Sequence, residues 1–248
     1  MANENKILND TADINLNVKS KRKVSFNTAS NDDYLTNEAY KTLRTNLLFC
    51  GNDIKTVLIT STVENEGKST VSAELVKSLA DLGKKTLLID SDMRKSVMLK
   101  GSQRSMDVLG LSEVLSGLAE VDNVIYGTQH ENFDVVFSGH FPPNPVELLE
   151  NGKFKDVLDR LKENYDYIII DSPPLGVVID AAVIAAYCDG AILVFAARQA
   201  SRKIAIEAKN QLEKSGCRIL GGVFNESDAH NSKYYKKYYR YKSYNYND

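Results

Sequence analysis

Residues 56–82 combine a strand-like run, a short polar loop and a helix-like run. The first six residues, Thr-Val-Leu-Ile-Thr-Ser, are mostly β-branched or apolar, and valine and leucine recur at helical spacing after residue 70. The loop between these runs ends in Gly-Lys-Ser-Thr at residues 67–70. This order predicts a phosphate-binding loop, because successive backbone N–H groups and the N-terminus of a helix attract anions.

The loop departs from the pattern G-x-x-x-x-G-K-[ST] at its first position, where Thr62 stands in place of glycine. Asn65 partly compensates, because asparagine tolerates the left-handed conformation that such loops require. We expect the loop to hold the β- and γ-phosphates of a nucleotide, with Lys68 as the cation and the Ser69 hydroxyl on Mg²⁺. The alternative is an ordinary strand-to-helix turn that contains Gly-Lys-Ser.

Two further apolar runs end in aspartate, which argues against that alternative. Residues 85–90 end at Asp90 and are followed by Asp92, whereas residues 167–171 end at Asp171. Ligands of doubly wound folds bind at the carboxyl ends of the strands, so these carboxylates are expected near the nucleotide. Burial of an unpartnered aspartate is costly, which favours a role in binding metal or water. The last strand ends at Asn225, either a base-binding amide or a structural cap.

The predicted fold class is α/β, a doubly wound and mainly parallel sheet of the P-loop type with helices on both faces. A chain of 248 residues with 43% hydrophobic residues is long enough for one such domain. Its net charge of −2 argues against a general nucleic-acid binder. The three cysteines form no Cys-x-x-Cys pair, which favours a reducing cytoplasm over a disulfide framework or a zinc site. Neither a signal peptide nor a membrane span is expected.

We expect a flexible arm over residues 1–30, a P-loop domain over residues 31–228 and a disordered tail over residues 229–248. The arm is polar, and its basic cluster at residues 19–23 is either a solvated tail or a contact for an acidic surface. No helical or strand period places the tail's tyrosines on one face. Tyrosines interleaved with basic residues suit either stacking on single-stranded nucleic acid or phosphorylation. The tail tyrosines are Tyr234, Tyr235, Tyr238, Tyr239, Tyr241, Tyr244 and Tyr246.

Charged residues recur every third position on the first predicted helix, at Glu38, Lys41 and Arg44. Side chains at this spacing are neighbours on a helix surface and stabilise it by about a few tenths of a kcal/mol per ion pair. A stripe of this kind also suits an interface with a second subunit. The residues alone leave both interpretations open.

On these motifs the sequence resembles the bacterial tyrosine kinases of the capsule and exopolysaccharide type, a branch of the deviant-Walker P-loop ATPases. The resemblance runs from about residue 38 to residue 246. Residues 60–70 resemble the family's Walker A motif, residues 87–94 its Walker A′ motif and residues 168–171 its Walker B strand. The run Asn-Pro-Val-Glu-Leu-Leu at residues 144–149 is a further mark of the family, and the terminal tyrosine cluster is the most specific one.

The resemblance implies an ATP-dependent protein-tyrosine kinase that phosphorylates its own C-terminal tyrosines, mainly between subunits. Such a kinase regulates the synthesis and export of capsular or extracellular polysaccharide. The implied catalytic residues are Lys68, Asp90, Asp92 and Arg94. The implied Mg²⁺ ligands are Ser69, Asp90 and Asp171. The implied nucleotide-binding residues are Thr62, Glu64, Asn65, Glu66, Gly67, Lys68, Ser69, Thr70 and Asn225.

The resemblance also implies partners. Family members form rings through a Glu-x-x-Arg-x-x-Arg motif, which matches Glu38, Lys41 and Arg44, although lysine at position 41 cannot make a forked contact. The implied activator is a membrane-anchored polysaccharide co-polymerase with a cytoplasmic tail, which would hold the kinase at the inner face of the cell membrane. A cognate tyrosine phosphatase is a further expected partner, and nucleic acid is not.

Two other functions compete with this interpretation. One is a partition- or septum-type ATPase switch that binds a membrane or DNA surface. Proteins of that kind usually carry an extra lysine in the loop before Gly67, and residues 63–66 contain none. The other is a noncatalytic, nucleotide-gated scaffold whose tail binds an acidic partner.

Overall fold

A computed structural model describes residues 22–26, 34–98, 108–197 and 201–225. The strands are β1 (Arg22–Lys23), β2 (Thr56–Ser61), β3 (Thr86–Asp90), β4 (Tyr126–Gly127), β5 (Phe133–Val136), β6 (Tyr167–Asp171), β7 (Gly190–Ala196) and β8 (Ile219–Asn225). The helices are α1 (Tyr34–Leu48), α2 (Lys68–Ala80), α3 (Leu111–Leu115), α4 (Pro145–Glu150), α5 (Lys153–Lys162), α6 (Asp180–Ala185) and α7 (Arg202–Lys214). None of the helices in these ranges is long and apolar enough to cross a membrane.

Within the described residues the eight strands form one sheet in the order β1-β4-β5-β3-β6-β2-β7-β8. Neighbouring strands are parallel except for β4 and β5, which are antiparallel. Central parallel strands are covered on both faces, which explains why β2, β3 and β6 are continuous apolar runs with every residue buried. The predicted α/β fold class is confirmed.

Alternate residues of these strands enter two separate hydrophobic cores, one on each face of the sheet. On β2, Val57 and Ile59 pack with Leu75 of α2, whereas Leu58 belongs to the core on the opposite face. Phe154 of α5 and other residues of α3 to α7 contribute to that opposite core. The side chains alternate because successive residues of a strand point to opposite faces.

The arrangement of strands places the ends of β2, β3 and β6 side by side. β6 lies between β2 and β3, and Asp90 at the end of β3 is in register with Asp171 at the end of β6. The loop that follows β2 leads directly into α2. The two acidic strand ends and the N-terminus of α2 therefore meet at the same edge of the sheet, as the sequence predicted.

The prediction of a flexible arm over residues 1–30 is wrong for residues 22–26. β1 pairs with β4, and Val24 and Phe26 are buried at 5% and 4% exposure. The Phe26 ring packs edge-on against Phe133, with 5.4 Å between the centroids, and Gln129 bonds both backbone groups of Phe26. Two apolar side chains among polar residues gave too short a pattern to predict this contact. Residues 1–21 and 27–33 lie outside the described ranges.

Replacing Phe26 with alanine is expected to lower the free energy of unfolding by about 2–4 kcal/mol, because a buried aromatic ring is lost and a cavity remains. Phe49→Ala is the matched control, since that ring is 82% exposed; its effect should stay within about 0.5 kcal/mol. Urea denaturation of both variants measures the difference. Equal unfolding midpoints for the two variants would show that residues 22–26 do not stabilise the domain.

Candidate functional site

Two residues with positive φ shape the loop between β2 and α2. Asn65 has φ of 61° and Gly67 has φ of 82°, both in the left-handed region. A side chain at position 67 would in addition force the Asn225 side chain to move, because a Cβ there would collide with Asn225 Nδ2. The sequence prediction that Asn65 tolerates the left-handed conformation thus agrees with the observed backbone.

The Glu66 carboxylate is turned away from the cavity and is completely buried. Its Oε2 accepts hydrogen bonds from the Thr62 backbone N–H at 2.7 Å, the Thr62 hydroxyl at 2.8 Å and the Val63 N–H at 2.9 Å. Its Oε1 accepts from the Ala196 N–H at the end of β7, at 3.2 Å. Thr62 and Glu66 thus hold the loop in shape, and threonine at position 62 supplies a hydroxyl that glycine cannot.

Asn225 joins the same support. Its Nδ2 donates to the Glu66 carbonyl oxygen at 3.1 Å, and its own carbonyl accepts from the Ala197 N–H at 3.0 Å. Of the two roles predicted from sequence, a base-binding amide or a structural cap, the observed contacts are those of a structural support for the loop. The last described residue of the chain is thereby fixed beside the candidate phosphate site.

The Ser69 hydroxyl and the Lys68 ammonium both face the buried carboxylate of Asp171. The Ser69 Oγ donates to Asp171 Oδ2 at 2.6 Å, and the Lys68 Nζ lies 3.7 Å from that oxygen and 3.8 Å from Asp92 Oδ2. The Ser72 Oγ lies 3.1 Å from Asp171 Oδ1. Burial raises the pKa of Asp171, and the nearby Lys68 charge and the serine hydroxyls oppose that rise.

Asp90 lies beside Asp171 and is equally buried. Burial, followed by the charge of Asp171, raises the pKa of Asp90 to about 7. The Ser96 hydroxyl donates to Asp90 Oδ2, and the Asp92 N–H donates to Asp90 Oδ1 at 3.0 Å. Two neighbouring carboxylates in a dry environment make this end of the sheet favourable for a cation.

A cavity of about 340 Å³ opens in front of these groups. The loop and the start of α2 line one wall, and the residues after β3 and β6 line the other. Asp92 and Arg94 are on the second wall, whereas Asp90 and Asp171 are buried at 1% exposure. The lining residues from the loop are Glu64, Asn65, Gly67, Lys68, Ser69 and Thr70.

The residues present fit a phosphate chain with one divalent cation. Left-handed residues at positions 65 and 67 shape a cradle beside the start of α2, and Lys68 supplies a positive charge. Within the described ranges no three acidic, histidine or cysteine side chains form a preformed metal site. A cation at Ser69 and Asp171 would therefore take its remaining ligands from phosphate oxygens and water, as Mg²⁺ commonly does.

Two ion pairs tie the turn after β3 to its surroundings. Arg94 forms a fork with Asp180 at the start of α6, with Nε to Oδ2 at 2.8 Å and Nη2 to Oδ1 at 3.0 Å. The Lys95 Nζ pairs with Glu64 Oε2 at 2.7 Å on the exposed rim of the cavity. Sequence reasoning missed Asp180. An acidic residue at the start of a predicted helix gave no sign that a distant arginine pairs with it.

The charged stripe on α1 makes contacts within its own chain. Lys41 pairs with Glu38 at 2.9 Å, and both side chains are about half exposed. Arg44 Nη1 donates to the Ser78 carbonyl of α2 at 2.7 Å. These contacts match the intrahelical alternative for the first two residues and add a helix-to-helix contact for the third. The tyrosines of residues 234–246 lie outside the described ranges.

Comparison with known proteins assigns a family to this arrangement. A family model described as an AAA domain matches residues 54–208. The tyrosine-protein kinase CpsD of Streptococcus agalactiae is 45% identical over 191 residues, which cover 77% of this chain and 83% of CpsD. The kinase domain of the Escherichia coli tyrosine kinase ETK superposes with a TM-score of 0.70 at 33% identity, covering 76% of this chain and 74% of that domain.

A septum site-determining protein is more distant. MinD of Pyrococcus horikoshii, solved with Mg-ADP, has a TM-score of 0.58 at 29% identity and covers 69% of this chain and 70% of MinD. The TM-score, the identity and both covered shares are lower than those for the tyrosine kinase domain. The comparisons therefore favour the kinase family over the septum-type ATPases.

Replacing Glu66 with glutamine is expected to weaken ATP binding at least about tenfold, or about 1.4 kcal/mol. A glutamine side chain would place an amide group against N–H donors that now bond a carboxylate, and the loop would lose its shape. Glu163→Gln, an exposed carboxylate outside the cavity lining, should change affinity by less than about threefold, or less than about 0.7 kcal/mol. Equilibrium titration with a fluorescent ATP analogue measures both variants. Equal affinities would mean that the buried carboxylate does not support the loop.

Proposed function

The chain belongs to the bacterial protein-tyrosine kinases of the capsule and exopolysaccharide type, and we propose that its acceptors are the tyrosines of its own residues 234–246. As a member of this family with a P-loop fold, it is a nucleotide-binding protein-tyrosine kinase. The proposal concerns which tyrosines accept phosphate, between which chains transfer occurs, and what the reaction controls.

The observation that carries phosphoryl transfer at this cavity is the position of the Lys68 ammonium between two carboxylates, 3.7 Å from Asp171 and 3.8 Å from Asp92. Phosphoryl transfer needs alignment and neutralisation of charge more than covalent help from the protein. Lys68 would offset the negative charge of the terminal phosphates. When bound at Ser69 and Asp171, Mg²⁺ would supply further positive charge and orient the phosphate oxygens.

Asp92 is the proposed acceptor of the tyrosine proton, because it lines the cavity whereas Asp90 is buried behind it. The tyrosine oxygen forms a bond to the γ-phosphorus, the bond from that phosphorus to the bridging oxygen of ADP breaks, and the hydroxyl proton moves to the carboxylate. Asp90 would support this step by accepting a hydrogen bond from the Asp92 backbone N–H, which fixes the Asp92 backbone. Asp90 is also a proposed ligand of Mg²⁺ through water.

The C-terminal segment suits the role of substrate. It begins beside the site, because Asn225 contacts the loop, and nine residue steps lead from Asn225 to Tyr234, a span of at most about 30 Å. Four basic side chains are interleaved with the tyrosines and Lys233 precedes them, and each added phosphate would contribute about −1.5 to −2 charges. Phosphorylation would therefore reverse the charge of the segment and release it from the acidic site.

The family resemblance supports two partners for this reaction. We propose an activator that is a membrane protein with a cytoplasmic tail, which would place the kinase at the inner face of the membrane, and a tyrosine phosphatase that resets the segment. The reaction would regulate synthesis and export of capsular or extracellular polysaccharide. A septum- or partition-type switch is less well supported, because the loop lacks the extra lysine and MinD is the more distant neighbour.

Deleting residues 231–248 is expected to leave ATP affinity unchanged and to reduce phosphotyrosine in the remaining chain by more than about tenfold. The deleted segment contains the acceptors, whereas every proposed nucleotide contact lies before residue 226. Mass spectrometry and an anti-phosphotyrosine blot after incubation with Mg-ATP measure the change. Phosphate located mainly outside residues 234–246 in the full chain would contradict the choice of acceptor.

Mixing the truncated chain with full-length Lys68→Met tests transfer between chains. The variant lacks the ammonium that faces the phosphates and should be inactive alone, but the truncated partner should phosphorylate its C-terminal segment. Phosphotyrosine in Lys68→Met alone, free of other kinases, would contradict the role of Lys68. An active full-length chain whose truncated form fails to label Lys68→Met would indicate transfer within one chain.

The α1 stripe is proposed as part of a ring interface, and its double variant Glu38→Ala, Lys41→Ala is expected to shift the oligomer toward monomer. These side chains are exposed, so their loss should leave the fold intact. Arg44 is left unchanged because it also anchors α2. Light scattering measures the mass, with Lys209→Ala, Glu213→Ala on α7 as the control ion pair. If the parent is oligomeric and the double variant has the same mass, Glu38 and Lys41 form only an intrahelical ion pair and no interface.

A further inference from the structure

Asp180 is a buried carboxylate at the edge of the site for which the kinase reaction described above has no role. Its side chain has no exposed surface, and both of its oxygens bind the guanidinium of Arg94. Asp180 opens α6, whose Ala181, Ile184 and Ala185 are completely buried in the core. The carboxylate is therefore fixed on a rigid part of the domain, while Arg94 is 40% exposed and faces the cavity.

The turn that carries Arg94 also carries Asp92, the proposed proton acceptor. Asp92 Oδ1 accepts hydrogen bonds from the backbone N–H groups of Arg94 at 3.2 Å and Lys95 at 2.9 Å. Below the turn, Met93 is buried in the core at 1% exposure. The fork to Asp180 fixes the turn from the side of α6. Asp92, Met93 and Arg94 are therefore each held by a different contact, namely the backbone N–H groups of the turn, the hydrophobic core and Asp180.

The fork also controls where the positive charge of Arg94 lies. The hydrogen bonds and charge of Asp180, together with the charge of Asp92, raise the pKa of this guanidinium. A guanidinium released by Asp180 would be drawn toward Asp92, since opposite charges at short range attract strongly in a partly dry site. The released guanidinium would then occupy the Asp92 carboxylate, to which the accepting hydroxyl has to hydrogen-bond.

We propose that Asp180 is a positioning residue of the kinase reaction, which holds Arg94 in a fork and thereby keeps the turn and its Asp92 carboxylate in place at the cavity wall. Asp180 acts through Arg94 and does not contact the substrates. The phosphate loop has its own support in Glu66 and Asn225, neither of which bonds to Arg94 or Asp180. The proposal rests on the proton-accepting role proposed for Asp92 and on the family's kinase activity, and it holds for any accepting tyrosine.

The test compares full-length parent, Asp180→Asn, Arg94→Gln and the double variant by the initial rate of phosphotyrosine formation at varied ATP. Asp180→Asn should lower kcat at least about tenfold, with ATP affinity within about threefold of the parent. In the Arg94→Gln background, the Asp180 substitution should change kcat by less than about twofold, because its effect requires the guanidinium. Asp189→Asn, at the opposite end of the sheet, controls for loss of a hydrogen-bonded carboxylate.

Several results would overturn the proposal. One is a normal kcat in folded Asp180→Asn. Another is a loss of kcat in the double variant equal to the product of the two single losses, because Asp180 would then act independently of Arg94. A fall in ATP affinity that accounts for the whole loss would assign Asp180 to nucleotide binding. If Asp180→Asn does not fold, Arg94→Lys replaces it, since lysine keeps the charge but not the fork; normal kcat in that variant also overturns the proposal.

The test separates this proposal from the one on acceptor tyrosines. If phosphate appears outside residues 234–246, the acceptor proposal fails. The kcat values of the parent, the two single variants and the double variant still test the role of Asp180. If Asp92→Asn keeps the parent kcat, the proton-accepting role of Asp92 fails. A tenfold loss of kcat in Asp180→Asn would then arise through another group of the turn. That result contradicts the proposal, which assigns the effect to Asp92.

Discussion

Two carboxylates buried side by side at one edge of the sheet constrain the rest of the site. Asp90 and Asp171 end adjacent parallel strands in register, and neither is exposed by more than 1%. Burial, followed by the charge of Asp171, raises the pKa of Asp90, so this pair needs compensating charge. The neighbouring groups provide it in part, through Lys68 at 3.7 Å from Asp171 and through hydroxyls on both carboxylates. A divalent cation bound at Ser69 and Asp171, as proposed above, would add positive charge beside these carboxylates.

A second requirement is that the phosphate loop keep its shape without the usual first glycine. The buried Glu66 carboxylate meets this requirement by accepting three hydrogen bonds from positions 62 and 63 and a fourth from β7. Burying an ionised carboxylate is favourable only when such bonds replace its hydration. The loop is consequently supported from β2, β7 and β8, three neighbouring strands of the sheet.

The two walls of the cavity are held by separate sets of contacts. The loop depends on Glu66 and Asn225, whereas the turn after β3 depends on the core residue Met93 and on the fork between Arg94 and Asp180. An exposed pair, Lys95 and Glu64, joins the walls at the rim. Deeper in the cavity, the Lys68 ammonium lies 3.8 Å from Asp92, so a second and less exposed ion pair also joins the walls.

The sequence by itself determined the fold class, the phosphate loop and the acidic strand ends, because these follow from local patterns. A β-branched run, a loop ending in Gly-Lys-Ser and a helical repeat are adjacent in the chain. Parallel topology then requires the ends of β3 and β6 to meet at the site. The family resemblance, read from the same motifs, agreed with the kinases found by comparison.

Only the tertiary structure decided which of these residues face the cavity and which support it. Glu66 and Asp92 are both acidic residues close to the phosphate loop or a strand end, yet one is turned into the protein and the other lines the cavity. Asp180 and Arg94 are 86 residues apart, and Phe26 is 107 residues from Phe133. Contacts at such separations leave no local pattern, because they arise from how strands and helices pack and not from the order of neighbouring residues.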